Sequence, residues 1–183
     1  MLKPSRPLIL GVDPGLNGAL AWYNFETKSL VDVADMPLSK VPHKKNPKQE
    51  VNDHALNFIV DLRARETAFA VVEEVGARPK DGRTSAFRFG ESYRAVKTVL
   101  NLNEIPVYFV LPSVWKILMG LSSNKKESID LAAAKFKGSR EKYFSLKKHD
   151  GRAEAALLAL FGERFLAAHD SGFLKGITEE AQK

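Results

Sequence analysis

The sequence predicts an α/β fold: one mixed five-stranded sheet with helices on both faces, in the order β-β-β-α-β-α-β-α. Two observations predict it. Three strand-like runs, Leu8–Val12, Ala19–Tyr23 and Ser29–Ala34, follow one another with only brief turns between them, which makes an antiparallel meander. Helical stretches then alternate with two more apolar runs, Phe69–Val72 and Pro106–Val110, and such crossovers add parallel strands to the same sheet.

The first run ends in Gly11-Val12-Asp13-Pro14-Gly15, and the Asn17-Gly18 pair reverses the chain into the second strand. Glu26-Thr27-Lys28 turns it again into the third. Met36 to Glu50 holds three prolines and four lysines and reads as a loop. From Asn52 to about Glu66 the pattern is helical, with Ala55, Phe58, Ile59 and Leu62 as the expected buried stripe. Gly76 to Thr84 is a polar, basic loop, and Ser85 to Leu102 a second helix with Phe89, Tyr93, Val96 and Leu100 on one stripe. Pro112 suits a helix entry before Val114, Trp115 and Leu118. Lys125–Lys137 reads as a short basic helix, Ser139–Lys148 as a charged loop and Gly151–Leu166 as an alanine- and leucine-rich helix. No repeat or low-complexity linker breaks the chain, so one domain over residues 1–166 and a loose tail over 167–183 are expected.

Composition narrows the function. With no cysteine in 183 residues, a disulfide framework and a cysteine-ligated zinc site are excluded. A net charge of +6 favours a polyanionic partner. No apolar run approaches the ~20 residues a bilayer requires, and Met1–Pro7 lacks the apolar region of a signal peptide, so a soluble intracellular protein is expected.

The candidate chemistry is carboxylate chemistry. Asp13 and Glu73 each end a purely apolar strand, where a carboxylate suits a rim better than a core, and ligands gather outside the carboxyl ends of parallel strands. The last helix opens His149-Asp150-Gly151-Arg152-Ala153-Glu154, and Asp150 and Glu154, four apart, share one side of it. Four carboxylates without cysteine point to a hard cation, Mg²⁺ or Mn²⁺, and two such ions suit phosphodiester hydrolysis. Each residue also has a plainer role. Asp-Pro-Gly is good turn chemistry, Asp150 can cap its helix, Glu74 competes with Glu73, and Lys147, Lys148 and Arg152 either hold the scissile phosphate or form a solvated face.

These stretches resemble the RuvC family of Holliday junction resolvases, within the RNase H-like superfamily. Gly11–Gly15 is similar to that family's first motif, Val71-Val72-Glu73-Glu74-Val75 to its second, and Asp150–Leu158 to its acidic last helix; Ser85-Ala86, Gly90 and Ala95 are similar to its central helix. The resemblance implies an RNase H-like fold and a homodimer that cuts four-way DNA junctions symmetrically. It implies two Mg²⁺ ions per site, with Mn²⁺ as a substitute, held by Asp13, Glu73, Asp150 and Glu154, and Lys148 beside the phosphate. Arg78, Lys80, Arg83, Arg88, Lys147 and Arg152 would contact DNA, and Phe87, Phe89, Tyr93 and Val96 would lie partly at the dimer interface. Cytoplasmic, bacterial or phage-like origin follows from the same resemblance; a helicase partner does not.

The chain departs from the family in two places. Asp150 and Glu154 are four apart where enterobacterial RuvC has two aspartates three apart, which leaves the ligand role open among His149, Asp150 and Glu154. Val75-Gly76-Ala77 lacks the aromatic with which bacterial members stack on a base. The same residues also accommodate hydrolysis of RNA–DNA hybrids or of branched and flap DNA, or a non-catalytic DNA-binding module. A nucleotide-binding relative of the actin and sugar-kinase fold would need two such domains, and this chain has length for one.

Overall fold

The computed structural model describes residues 6–42, 47–74 and 82–166, without the side chains of residues 83–85, 165 and 166. The expected tail from residue 167 lies outside them. Strands β1 (Leu8–Asp13), β2 (Ala19–Asn24) and β3 (Ser29–Asp35) form the meander, and a hairpin, β4 (Leu38–Val41) and β5 (Lys48–Val51), follows. Helix α1 (Asp53–Ala64), strand β6 (Thr67–Glu73), helix α2 (Arg83–Leu102) and strand β7 (Val107–Val110) alternate after it. Helices α3 (Pro112–Leu118), α4 (Lys125–Lys135), α5 (Arg140–Tyr143) and α6 (Asp150–Leu166) complete the chain, with a 3-10 turn, Lys147–His149, leading into α6.

The main sheet has five strands in the order β3-β2-β1-β6-β7, antiparallel through β1, β2 and β3 and parallel through β1, β6 and β7. This is the predicted α/β architecture. Strand alternation divides the core in two. Leu8, Leu10 and Val12 pack with Leu56 and Val60 of α1 and Val96 and Leu100 of α2, while Ile9 and Val71 pack with Trp115 and with the alanines and leucines of α6 on the other face. Asp13 follows Ile9 and Gly11 in that alternation, so it belongs to the α6 face.

The approach of α6 to β1 is unusually close. A Cβ on Gly11 would lie 2.0 Å from the carbonyl oxygen of Ala155 and 2.5 Å from the nitrogen of Ala159, so only glycine allows the helix to lie on the strand. One on Gly151 would lie 2.3 Å from the carbonyl oxygen of Asn17, which seats the start of α6 on the turn after Asp13.

Two expectations are corrected. Met36–Glu50 is no plain loop: β4 and β5 pair antiparallel from Leu38↔Val51 to Val41↔Lys48. Its prolines, Pro37, Pro42 and Pro47, each stand one residue outside a strand, where a missing N–H costs the ladder nothing. The buried stripe of α1 is Leu56, Val60 and Ala64, whereas Phe58 and Leu62 are 65% and 58% exposed. Apolar residues recur on both sides of this helix, so periodicity alone does not fix its phase; packing of Leu56 and Val60 into the core with β1 and α2 does, while Asn52, accepting the Ala55 N–H at 3.0 Å, caps its start. Among the described residues no helix is long and apolar enough to cross a membrane.

Candidate active site

Parallel register sets the first two carboxylates side by side. Val12 pairs with Val72, and the next residue along each of the neighbouring strands is Asp13 on β1 and Glu73 on β6. Helix α6 supplies Asp150 in its first turn and Glu154 one turn later, 9% exposed and over the same edge. All four belong to one electrostatic cluster centred on Asp13. Burial pushes the Asp13 carboxyl up; the Gly15 N–H, donating to Oδ1 at 3.1 Å, opposes this, and the charges of Glu73, Glu154 and Asp150 add to the rise, to about 7.

Each of the other three carboxylates is held. Trp115 Nε1–H donates to Glu73 Oε2 at 2.8 Å from a wholly buried indole. Lys116 Nζ donates to Glu154 Oε1 at 2.7 Å, and Ser128 Oγ donates to the same oxygen at 3.2 Å. Lys125 is ion-paired with Asp150, a contact that raises the lysine's own pKa. Glu73, rather than Glu74, acts on Asp13: Glu74 gives its N–H to the Val110 carbonyl and its charge bears on Tyr93.

The sequence did not single out a site role for Trp115, Lys116 or Lys125. A signal was present for the first two. Because β7 is parallel to β6 and ends at the same edge, the first turns of the helix that follows it must lie beside Glu73. Lys125 offers no comparable signal, since only the tertiary packing of α4 against α6 brings it to Asp150.

Those of the expected phosphate-binding cations that are described lie on the 3-10 turn, α6 and α2. Lys148 is exposed on the 3-10 turn, where its charge acts on Asp35 and His149 rather than on Asp13. Arg152 forms a two-pronged ion pair with Asp35, through Nε to Oδ1 at 2.5 Å and Nη2 to Oδ2 at 2.6 Å. Lys147 is exposed on the same turn as Lys148. His149 is 7% exposed; its Nδ1 accepts the Leu146 N–H at 3.3 Å, and burial followed by the Arg152 charge lowers its pKa. Arg88 is half-buried on α2; Arg83 starts that helix with its side chain not described, and Arg78 and Lys80 lie outside the described residues. Of the apolar residues expected at a dimer interface, Val96 is core and Tyr93 packs against Phe109 with ring centroids 5.4 Å apart, while Phe87 is 70% exposed.

The donors fit a hard divalent cation in type and charge: all four are oxygen donors, and the Asp13 carboxyl, raised first by burial and further by its three carboxylate neighbours, carries a repulsion that a cation would relieve. As the side chains stand, no three carboxylates or histidines among the described residues are arranged around one point. Lys116 and Lys125 hold Glu154 and Asp150 in other contacts.

No family model and no curated protein matches the chain. Solved structures do. A Thermus thermophilus RuvC in complex with a Holliday junction substrate aligns at a TM-score of 0.52 with 14% identity, covering 86% of this chain and 96% of that one. Another Thermus thermophilus RuvC structure aligns at 0.50 with 16% identity over the same shares. Five strands in this order and sense, flanked by these helices, give the chain the RNase H-like fold of RuvC.

Proposed function

We propose that this protein is a metal-dependent endonuclease that cuts four-way DNA junctions, acting as a homodimer with one site per subunit. The observation that carries the proposal is the convergence of Asp13, Glu73, Asp150 and Glu154 at one edge of a RuvC-like sheet. The net charge of +6 supports a nucleic-acid substrate despite this acidic cluster.

Asp13, Glu73, Asp150 and Glu154 would hold two Mg²⁺ ions, which supply an activated water and a clamp on the attacking and leaving oxygens. Asp13, whose carboxyl feels the charges of all three others, would contribute to holding the ions together with Glu73, Asp150 and Glu154. Trp115 fixes the orientation of Glu73 by occupying one of its oxygens. Lys116 and Lys125 keep Glu154 and Asp150 in place and bring positive charge to the cluster. Their ammonium groups would offset charge on a phosphate at this edge. Two active sites related by dimer symmetry suit paired incisions in opposite strands.

A side-by-side cleavage series with Mg²⁺ tests the assignment. Four-way junctions are expected to be cut at paired, symmetrical positions, well ahead of flaps, RNA–DNA hybrids and plain duplex. Preferential cutting of hybrids or flaps would move the protein to another nuclease activity on the same fold, and no cutting of any substrate would overturn the enzyme assignment.

A further inference from the structure

The β4–β5 hairpin lies outside the carboxylate site, yet its base is tied to the turn that follows Asp13. The Met36 N–H donates to the Gly18 carbonyl at 3.0 Å, the Asn52 N–H donates to the Pro37 carbonyl at 2.8 Å, and Met36 itself is 4% exposed. Leu38 and Val51, paired in register, pack against the core shared with α1 and α2. In an antiparallel pair, opposed residues share a face and faces alternate, so Lys40 and Gln49 continue the Leu38–Val51 face outward, while Lys48, opposite Val41 at the outer end of the arm, starts on the other face and lines the groove from that end. The arm is therefore anchored by its apolar end and presents polar groups beyond it.

Between this arm and α2 runs a groove of about 410 Å³, lined by Leu16, Lys40, Pro47, Lys48, Gln49 and Arg88. It contains three cationic side chains and an amide, with no acidic lining residue. Among the described residues Lys40, Lys48 and Arg88 make no ion pair. A wider cleft of about 700 Å³ between β5, α1 and α2 also includes Leu16, Gln49 and Arg88 but carries Glu50, Asp53 and Glu91. Positive charge is thus concentrated in the outer groove, and Leu16, in the turn immediately after Asp13, links it to the catalytic edge.

We propose that the paired strands β4 and β5, with Arg88 of α2, form a phosphate-binding groove that grips the backbone of one duplex arm of the DNA substrate beside Asp13. The identity of the polyanion rests on the nuclease assignment above. Unpaired ammonium and guanidinium groups on an anchored arm match the backbone contacts that fix register without reading sequence. Lys40 and Lys48 are the new members of this interface, and Gln49 supplies an uncharged donor next to them.

The test is binding of a four-way junction by the full chain without divalent metal, between about 50 and 200 mM salt, for wild type and Lys40→Gln/Lys48→Gln. Losing two phosphate contacts should reduce the steepness of log K against log salt by about 1.8 and weaken binding at the low-salt end by about tenfold. Lys40→Arg/Lys48→Arg should restore both, because arginine returns the phosphate-contacting charge that glutamine removes. A wild-type salt slope and affinity in the glutamine variant would overturn the groove, whether or not the protein cuts DNA. Conversely, a reduced slope in a protein that cuts no branched DNA would uphold the groove and overturn the nuclease assignment.

Discussion

Asp13 is the residue on which the site turns, and its ionisation has a cost that can be measured. Its carboxyl is raised to about 7 by burial first and by three neighbouring carboxylates after the opposing Gly15 contact. A carboxyl raised in the folded state is protonated there while already ionised in the unfolded chain, so the contribution of Asp13 to metal-free stability declines between about pH 4 and pH 7 and levels off above. Asp13→Asn keeps the shape and removes the charge. It should raise the melting temperature of the metal-free protein above pH 7 by about 5–10 °C, on the order of 3 kcal/mol, with no difference near pH 4. Thermal melts across pH check this, and equal melting of the two proteins at pH 8 would contradict it. Trp115→Phe isolates the other end of the site: packing is retained but Glu73 loses its indole donor. About a tenfold rise in the Mg²⁺ concentration for half-maximal cleavage is expected, with the rate recovering at high Mg²⁺. A variant indistinguishable from wild type in a Mg²⁺ titration would remove Trp115 from the site's support. Asp13 was legible because it is a lone charge closing an apolar strand, and Glu73 because it is the first of two adjacent glutamates and ends such a run directly. Lys125 was not, since its partner lies 25 residues away and only packing brings the two together; Lys116, 38 residues from Glu154, could be placed near the edge only through the parallel pairing of β7 with β6.

Helix α6 and strand β1 carry the geometry jointly. The helix can bring Glu154 to the edge only because Gly11 leaves room for its backbone, and the alanines at 155, 156 and 159 keep that contact shallow. Gly11→Ala should therefore lift the helix, destabilising the fold by about 3 kcal/mol and lowering the melting temperature by about 10 °C. It should also reduce cleavage well below the melting range, because Glu154 moves with the backbone; full activity at low temperature would show that the site tolerates the shift. The sheet strands were readable as short apolar runs between turns. The β4–β5 hairpin was hidden because each strand has four residues, its apolar pair Leu38 and Val51 sits at one end, and flanking prolines disguise it as loop. Helix α1 was found but rotated, since Phe58 and Leu62 are as apolar as the Leu56 and Val60 that the core takes.

The whole molecule is a basic protein built around an acidic edge. A cluster of four carboxylates would repel DNA by itself, and the cations elsewhere in the protein belong to separate elements: Lys116 on α3, Lys125 on α4, Arg88 on α2 and Lys40 and Lys48 on the hairpin. Symmetrical incision needs two copies, so the solution mass of the active species is expected to be twice 20.3 kDa. Activity of a species that stays monomeric on junction DNA would exclude the paired mechanism. The fold and its acidic edge could be anticipated from motif order, whereas the basic surface could not, because sequence shows lysines without showing which are spent on carboxylates.

The most direct measurement compares wild type and Asp13→Asn on a fixed four-way junction, following binding and strand cleavage together with metal omitted, with Mg²⁺ and with Ca²⁺. Wild type should bind in all three conditions and cut only with Mg²⁺, and Asp13→Asn should bind equally well while cutting about a thousandfold more slowly. Cleavage that persists without metal, or that survives Asp13→Asn at the wild-type rate, would contradict a shared-ion centre at this edge.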